Sequence, residues 1–309
     1  MKKNKKMNVL CPSPQSFSVS IKKKLSKKYN CKFVKMNNTE FNKRCHEYEV
    51  ILMRFDNIIR YKKNTKIKFI LCPTTAIEHI DINFFRDKNI KVFTLRNKVK
   101  FLRNIRATIE FTIFLILFCL RKTKQNLIKK NNLNRNITHE EIYQKKIGII
   151  GFGRIGKKVN KILRSFDANI KIFEVKRMHK SKKLIFVSLN EILKSCEIIL
   201  IHIPLNLRNK NFLNSSKLRL LKKGTTVINT SRGDVLDESY IFSLVKKKKI
   251  SYFTDVISNK ILLQKKKLIE KMKKNENFYY SGHVAGLTKE SVEKTDLFIY
   301  KNFSKSIKS

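Results

Sequence analysis

Three glycines that follow a short apolar run place the strongest constraint on how this chain folds. The stretch KKIGIIGFGRIGKKVNKIL holds Gly151, Gly153 and Gly156 in a GxGxxG pattern, after the strand-like run IGII. In a dinucleotide-binding turn these glycines permit the tight turn, the approach of a pyrophosphate and the packing of helix on strand. A helix predicted from Arg154 adds N–H groups and a positive dipole end that favour phosphate. The pattern predicts a dinucleotide site, with Arg154 and Ile155 among its contacts.

An acidic residue after the next predicted strand indicates which dinucleotide is bound. The run NIKIFEV brings Glu174 eighteen residues beyond Gly156. A carboxylate at this point can hold the adenosine ribose hydroxyls, which favours NAD over NADP. Lys176 and Arg177 follow closely and weaken this preference.

The order of the other predicted elements indicates an α/β fold in two parts. Strand-like runs occur in MNVLCPS, YEVILMRF and KFILCP, and DINFFRDKN followed by IKVFTL continues the alternation of helix and strand. Such alternation is typical of mostly parallel sheets. We predict one long apolar helix over residues 104–122, a loop over KQNLIKKNNLNRNITHEE and a second α/β series from residue 146. A chain of 309 residues has room for about two domains.

The chain carries a formal net charge of +47, from 70 basic and 23 acidic residues. A charge of this size suggests nucleic acid or an acidic membrane surface as a partner. The lysines are nonetheless spread along the whole chain, and the densest runs, at 246–249 and 265–267, fit solvated helix faces. We therefore expect salt-dependent adhesion to polyanions and no specific nucleic-acid or membrane partner.

The apolar runs and the cysteines indicate where the protein resides. The most apolar run, FTIFLILFCL, has ten residues against the roughly 20 that a membrane span needs, so we predict a buried core helix. The first ten residues lack the apolar region of a secretory signal, and no cysteine pair has metal-site spacing. We predict a cytoplasmic protein without a metal site and with reduced thiols. The six cysteines are Cys11, Cys31, Cys45, Cys72, Cys119 and Cys196.

Five motifs, in order and spacing, resemble the D-isomer-specific 2-hydroxyacid dehydrogenase family, which includes D-3-phosphoglycerate dehydrogenases and glyoxylate or hydroxypyruvate reductases. They are GIIGFGRIG, LIHIPLN, INTSRGDVLDE, TDV and SGHVAG. The resemblance implies two Rossmann-like or flavodoxin-like α/β domains, with a nucleotide-binding domain (98–287) inserted into a discontinuous substrate domain (1–97 and 288–309). It places the active site in the cleft between them. It also implies a homodimer, for which residues 108–120 could supply the surface, although burial of this helix within the monomer fits equally well.

The same resemblance assigns the chemistry to Arg232 and His283. Arg232 lies in the NTSRG turn, at the position that binds the carboxylate and carbonyl oxygen of the substrate, and its planar fork of donors suits that task. His283, in SGHVAG, matches the catalytic acid and base, for which an imidazole is suited because its pKa lies near working pH. The implied reaction moves a hydride between NAD and C2 of a small D-2-hydroxy or 2-oxo acid.

Further positions are implied to line the two ligands. Asp255, in FTDV, is expected at the nicotinamide end of the cofactor, whereas His202 either lines the cofactor or packs in the core. The loop CPTTA is expected to offer the amides of Thr75 and Ala76 to the substrate carboxylate. The predicted cofactor contacts in these motifs are His202, Pro204, Thr230 and Asp255.

One position departs from the family pattern. A glutamate that pairs with the histidine is expected five residues after Asp255, in a DVxxxEP motif, but this chain reads DVISNK, with Lys260 there and no proline. A carboxylate beside an imidazole raises its pKa, whereas an ammonium lowers it. Either the acid comes from elsewhere, the register shifts, or activity is slow or lost. The alternative functions are therefore an NAD-binding module acting through protein contacts and, less favoured, a polyanion-binding protein.

Overall fold

The computed structural model describes residues 6–60, 62–128, 138–175 and 184–308. The chain divides into two compact units, Met1–Ile105 with Leu287–Ser309, and Arg106–Gly286. The first unit is therefore discontinuous in sequence and the second is continuous. The first division falls after Ile105, whereas the sequence suggested residue 97, because the short helix that follows residue 98 buries Leu102 in the core of the first unit.

The first unit contains a parallel sheet of five described strands. These are β1 (Asn8–Cys11), β2 (Asn30–Phe33), β3 (Val50–Leu52), β4 (Phe69–Cys72) and β5 (Lys91–Thr94). Their spatial order is β2-β1-β3-β4-β5, a doubly wound arrangement. The helices of this unit are α1 (Val19–Ser26), α2 (Asn38–Arg44), α3 (Ile82–Asp87) and α4 (Val99–Leu102), with a further long helix at the carboxyl end of the chain.

The central strands of this sheet are apolar on both faces because helices cover both sides. Val9, Leu10 and Cys11 are fully buried, as a central parallel strand requires. The strands predicted in MNVLCPS, YEVILMRF, KFILCP and IKVFTL are all present. The edge strand β2 was not predicted, because its residues NCKF are exposed or half-buried and lack an apolar pattern.

The second unit is built on a longer parallel sheet. Its described strands are β6 (Lys146–Ile150), β7 (Asn169–Phe173), β8 (Ile185–Phe186), β9 (Ile198–Ile201), β10 (Thr226–Asn229), β11 (Ser251–Thr254) and β12 (Phe278–Tyr280). The spatial order is β12-β11-β10-β9-β6-β7-β8. From β6 the chain first adds strands on one side of the sheet, as β7 and β8, and then on the other side, starting with β9. This is the order of a dinucleotide-binding sheet, and the predicted fold class is confirmed.

Helices cover both faces of the second sheet. They are α5 (Ala107–Leu120), α6 (Thr123–Ile128), α7 (Arg154–Arg164), α8 (Leu189–Ser195), α9 (Ser215–Leu218), α10 (Glu238–Lys246), α11 (Asn259–Gln264) and α12 (Lys266–Lys273), and α13 (Lys289–Lys308) completes the first unit. The loop predicted after residue 123 was wrong over 124–128, where α6 forms, and residues 129–137 lie outside the described part of the chain.

The apolar helix α5 is shorter than predicted and buries only part of its surface. Ile109, Leu115 and Ile116 pack into the core of the second unit, whereas Phe114 and Leu117 are 44% and 38% exposed. Within the described residues, no helix is both long enough and apolar enough to span a membrane.

All six cysteines are free, and four of them are buried, in agreement with the sequence analysis. Burial raises the pKa of the Cys11 thiol to about 12. Such thiols are protonated at neutral pH and are poor nucleophiles.

Candidate functional site

The residues predicted to bind the cofactor and to act on the substrate follow the ends of parallel strands in the second unit. Because the carboxyl ends of parallel strands share one edge of a sheet, these residues lie along the same edge, where such sheets bind ligands. Gly151 follows β6, Glu174 follows β7, His202 follows β9, Thr230 follows β10, Asp255 follows β11 and His283 lies three residues after β12.

The glycine turn has the geometry that a dinucleotide requires. Gly151 has a φ of +97°, and a Cβ there would lie 2.7 Å from the carbonyl oxygen of His202. A Cβ on Gly156 would overlap the carbonyl oxygen of Gly151, so α7 could not pack on β6. A Cβ on Gly153 would meet nothing within 4 Å. The turn is therefore closed on its protein side and open at Gly153, which suits the close approach of a pyrophosphate.

The start of α7 and the end of β7 complete this turn. Gly153 is the N-cap of α7 and provides no side-chain cap, so the helix start can receive an anion instead. The Glu174 carboxylate accepts a hydrogen bond of 2.8 Å from the Phe152 N–H, which fixes it beside the glycine turn. Burial lowers the pKa of Arg154. Lys176 and Arg177, which bear on the choice between NAD and NADP, lie outside the described residues.

A chain of hydroxyl contacts orients His202. Its Nδ1 lies 3.5 Å from the Thr230 hydroxyl, which lies 3.1 Å from the hydroxyl of Thr112 on α5, and Thr112 donates to the Thr108 carbonyl at 2.8 Å. Burial lowers the pKa of His202 to about 4, so the ring is neutral at pH 7. Its Nε2 is buried and finds no partner within the described part of the chain.

Asn229, the last residue of β10, holds the turn that carries Arg232. Its Oδ1 accepts from the N–H and the hydroxyl of Ser231 at 2.9 and 2.8 Å, and its Nδ2 donates to the Arg232 carbonyl at 2.9 Å. Asn229 is fully buried. Sequence reasoning missed this residue, although asparagine before a serine at a strand end is a turn signal.

Asp255 holds the turn that carries His283. Its Oδ1 accepts from the Ser281 hydroxyl at 2.5 Å and from the Val284 N–H at 2.8 Å, while its carbonyl accepts from the His283 N–H at 2.7 Å. His283 has a φ of +64°, in the left-handed region. Non-glycine residues held there often belong to functional sites. The carboxylate of Asp255, expected at the nicotinamide, is thus already committed to positioning the histidine turn.

Glu238 joins the segment after Arg232 to the segment that follows β11. It is 4% exposed, and its Oε2 accepts from the Ser258 hydroxyl at 2.5 Å and from the Ser258 N–H at 3.0 Å. A Cβ on Gly233 would lie 2.6 Å from its Oε1, so the segment after Arg232 passes directly beside this carboxylate. Burial, reinforced by Asp234, raises the pKa of Glu238 to about 7. No local sequence pattern predicted this contact, because Glu238 and Ser258 are twenty positions apart.

The architecture and the strand-end residues agree with a match to a known family. Residues 113–285, more than half of the chain, match the model of the D-isomer specific 2-hydroxyacid dehydrogenase, NAD binding domain. The chain belongs to this family. The match confirms the resemblance seen in the motifs and confirms NAD as the cofactor of the second unit.

Two relatives within the family illustrate how far the likeness extends. The chain is 27% identical to the D-3-phosphoglycerate dehydrogenase of Bacillus subtilis over 222 residues, which cover 69% of this chain and 41% of the relative. It is 29% identical to the erythronate-4-phosphate dehydrogenase of Wigglesworthia glossinidia brevipalpis over 278 residues, which cover 85% of this chain and 65% of the relative. The chain thus spans less than two thirds of the length of these relatives.

Solved structures in the family share the fold over nearly the whole chain. The D-lactate dehydrogenase of Aquifex aeolicus, complexed with NAD and lactic acid, has a TM-score of 0.79 at 23% identity and covers 97% of this chain and 95% of its own. The apo D-lactate dehydrogenase of Escherichia coli has a TM-score of 0.80 at 21% identity, with 98% and 97% covered. At these identities the likeness establishes the fold.

The position at which the family pattern fails lies on the surface of the second unit. Lys260 is exposed in the first turn of α11. That helix is capped by Ser258, whose hydroxyl accepts from the Ile261 N–H at 3.4 Å. Pro204, in the loop after β9, is also exposed, and its carbonyl accepts from Asn209.

The two predicted substrate contacts of the first unit lie in the loop after β4. Thr75 is exposed and Ala76 is buried. The Thr74 hydroxyl donates to the Ala76 carbonyl at 2.6 Å, and the Cys72 thiol lies 3.1 Å from that hydroxyl and 3.4 Å from the Nε2 of His79. This side-chain network fixes the loop.

Proposed function

We propose that this protein is an NAD-dependent oxidoreductase that interconverts a small D-2-hydroxy acid and the corresponding 2-oxo acid. The observation that carries the proposal is the pair of braced turns at the edge of the NAD-binding sheet. Arg232 follows β10 in a turn held by Asn229, and His283 follows β12 in a turn held by Asp255. An anion-binding fork and a titratable imidazole on one ligand-binding edge are the groups that this chemistry needs.

Each residue is given a role by its chemistry. Arg232 binds the substrate carboxylate and polarises the C2 carbonyl, since a guanidinium can donate two parallel hydrogen bonds. His283 delivers a proton to the C2 oxygen in reduction and removes it in oxidation. Gly153 and the start of α7 hold the pyrophosphate, and Glu174 holds the ribose. NAD, when bound, supplies or accepts the hydride.

Asp255 is a positioning residue in this scheme. Its carboxylate accepts hydrogen bonds from the residues on either side of His283, and therefore fixes the backbone from which the imidazole projects. The other proposed contacts, His202, Pro204, Thr230, Thr75 and Ala76, remain predictions.

The relatives are named for different substrates, so the substrate class of this protein has to be determined by experiment. Two of them act on phosphorylated acids by name, and others are a glyoxylate reductase and a D-lactate dehydrogenase. The panel should therefore pair phosphorylated with unphosphorylated acids, in the form of phosphohydroxypyruvate, hydroxypyruvate, glyoxylate, pyruvate and a branched 2-oxo acid.

The deciding experiment is NADH oxidation by the purified protein with this panel. We expect Arg232→Ala and His283→Ala each to lower kcat/KM by at least about a hundredfold, the scale of one lost catalytic group. Arg219→Ala, which removes an exposed arginine of the same unit, should leave the rate unchanged. NADH binding without turnover on any substrate would contradict the proposal and support the NAD-binding module that Lys260 suggests.

We further propose a homodimer and a cytoplasmic location. The exposed Phe114 and Leu117 of α5 support the dimer, since large apolar side chains exposed side by side on a helix are typical of contact surfaces. Phe114→Glu combined with Leu117→Glu should shift the sedimentation coefficient from dimer to monomer, whereas Val99→Glu, at an exposed site of the first unit, should not. A wild-type monomer at all concentrations would exclude the dimer.

A further inference from the structure

The first unit contains a cavity of about 460 Å³ between α1 and α13. Four of its lining residues are lysines, Lys24 and Lys28 from α1 and the turn after it, and Lys301 and Lys305 from α13. Lys301 and Lys305 are four residues apart in α13 and therefore occupy one face of that helix, whereas Lys28 lies in the turn that follows α1. We call this space the lysine cavity.

No carboxylate lines the lysine cavity within the described part of the chain. The two acidic residues of α13 closest to it in sequence are engaged elsewhere. Glu293 accepts from the Ser20 hydroxyl at 2.6 Å, and Asp296 pairs with the buried Arg54 at 2.7 Å. Four exposed lysines therefore line one concave space with no acidic residue in its described wall, which creates a local positive potential.

A hydroxyl in the same wall lacks a hydrogen-bond partner. Ser304 lines the cavity between Lys301 and Lys305, and its buried Oγ has no partner among the described residues. A buried hydroxyl left unpaired is costly and uncommon. The Oγ has almost no accessible surface in this rotamer, and a rotation about χ1 toward the cavity would let it donate to a ligand with acceptor oxygens.

The remaining wall is apolar. Leu297 and Tyr300 line the cavity, and the Lys24 ammonium lies 6.0 Å from the centre of the Tyr300 ring. A flat group could therefore stack beside the charged part of a ligand.

We propose that the lysine cavity binds a compact phosphate polyanion, either free pyrophosphate or the polyphosphate group of a nucleotide. Clustered negative charge matches the four lysines, and phosphate oxygens would accept from the Ser304 hydroxyl once it rotates toward the cavity. The site belongs to the first unit and does not depend on the dehydrogenase activity.

The high lysine content of the whole chain demands a matched control. Lys246, Lys247, Lys248 and Lys249 are exposed at the end of α10 and beyond it, in the second unit. Changing these four to glutamine removes the same charge as changing the four lysines of the cavity. General attraction to anions predicts equal losses from both variants, whereas a built site predicts loss only from the cavity variant.

Calorimetric titration of the full chain with sodium pyrophosphate tests the proposal, at about 150 mM salt, where attraction between exposed charges is largely screened. Pyrophosphate bound at the dinucleotide site would be retained by the cavity variant, so only the binding that this variant loses is assigned to the lysine cavity. We expect one site per chain, abolished by the cavity variant and retained by the control. No binding to the wild type, or equal loss in both variants, would overturn the proposal.

Ser304→Ala provides a test in which charge is unchanged. We expect pyrophosphate affinity to fall about tenfold, the scale of one hydrogen bond to a charged group, with no loss of thermal stability in the ligand-free protein. An unchanged affinity for pyrophosphate would contradict the proposed contact between Ser304 and the ligand. A parallel titration with ATP distinguishes the two sources. If ATP binds more tightly than pyrophosphate, and Tyr300→Ala lowers the affinity for ATP, the ligand is a nucleotide.

Discussion

Gly153 and Gly156 lie three residues apart in one turn and have opposite surroundings. A Cβ would point into open space at Gly153, whereas at Gly156 it would overlap the carbonyl of Gly151. The first position therefore serves the ligand and the second serves the packing of α7 on β6. The GxGxxG motif revealed both glycines, and only the structure separates their roles in this chain.

Gly153→Ala and Gly156→Ala should consequently fail in different ways. We expect Gly153→Ala to change the free energy of unfolding by less than about 1 kcal/mol and to weaken NADH binding roughly tenfold, because a methyl group would occupy the space of the pyrophosphate. Gly156→Ala should destabilise the fold by about 1–3 kcal/mol or more. Urea denaturation and NADH fluorescence titration measure the two effects, and a stable Gly153→Ala protein with wild-type affinity would contradict this assignment.

Glu238 should make the stability of the second unit depend on pH. Burial raises its pKa from 4.5 to about 7, so the unfolded chain loses this proton at lower pH than the folded chain. Between about pH 5 and pH 7 the folded state therefore loses stability as pH rises, by at most about 3 kcal/mol. Below that window the protonated side chain carries no such penalty.

Glu238→Gln removes this titration and keeps a side chain of similar shape. The free energy of unfolding of the variant, relative to the wild type, should increase from about pH 5 to pH 8. Glu290→Gln, at an exposed site of the first unit, should show a constant difference over the same range. Parallel stability profiles for Glu238→Gln and the wild type would refute the predicted shift.

Single elements differ in how well the sequence predicted them. Strand β9 and residues 147–150 of β6 are unbroken runs of buried apolar residues, and such runs identify central parallel strands. Strand β2 and helix α6 lack an apolar pattern, because their residues lie at an edge or carry polar side chains. Their conformations depend on neighbours that a local pattern does not reveal.

Local sequence patterns were also insufficient to predict some residues of the candidate site. Motif spacing identified Arg232 and His283, but Glu238 and Thr112 were missed because their roles consist of contacts with residues far away in the sequence. Thr112 was hidden within an apolar helix. A residue that positions another residue becomes visible only when the fold brings the two together.

On the scale of the whole molecule, each unit is stabilised by its own hydrophobic clusters, and two clusters of buried residues are described in each. In the first unit, Phe303 of α13 is fully buried and its ring contacts Tyr29, Phe69 and Phe93, with centroids 5.7, 5.2 and 6.0 Å away. In the second unit, Phe278 of β12 is equally buried among Phe242 and Tyr252.

These two phenylalanines allow the units to be destabilised one at a time. We expect Phe303→Ala and Phe278→Ala each to cost about 3–5 kcal/mol in the unit concerned. Limited proteolysis should cleave the first unit faster in Phe303→Ala while NADH affinity stays at the wild-type value. Phe278→Ala should weaken NADH binding. Equal loss of NADH affinity in both variants would show that the cores are not independent.

The discontinuity of the first unit also bears on the order in which the protein can be made. A ribosome completes β1 to β5 long before it reaches α13, so the surface that receives Ile299 and Phe303 waits through the synthesis of the entire second unit. The intervening segment can fold as soon as it emerges, because it is continuous. The nascent chain therefore carries an unfinished apolar surface on β1 to β5 until α13 emerges, and this surface is open to aggregation during that interval.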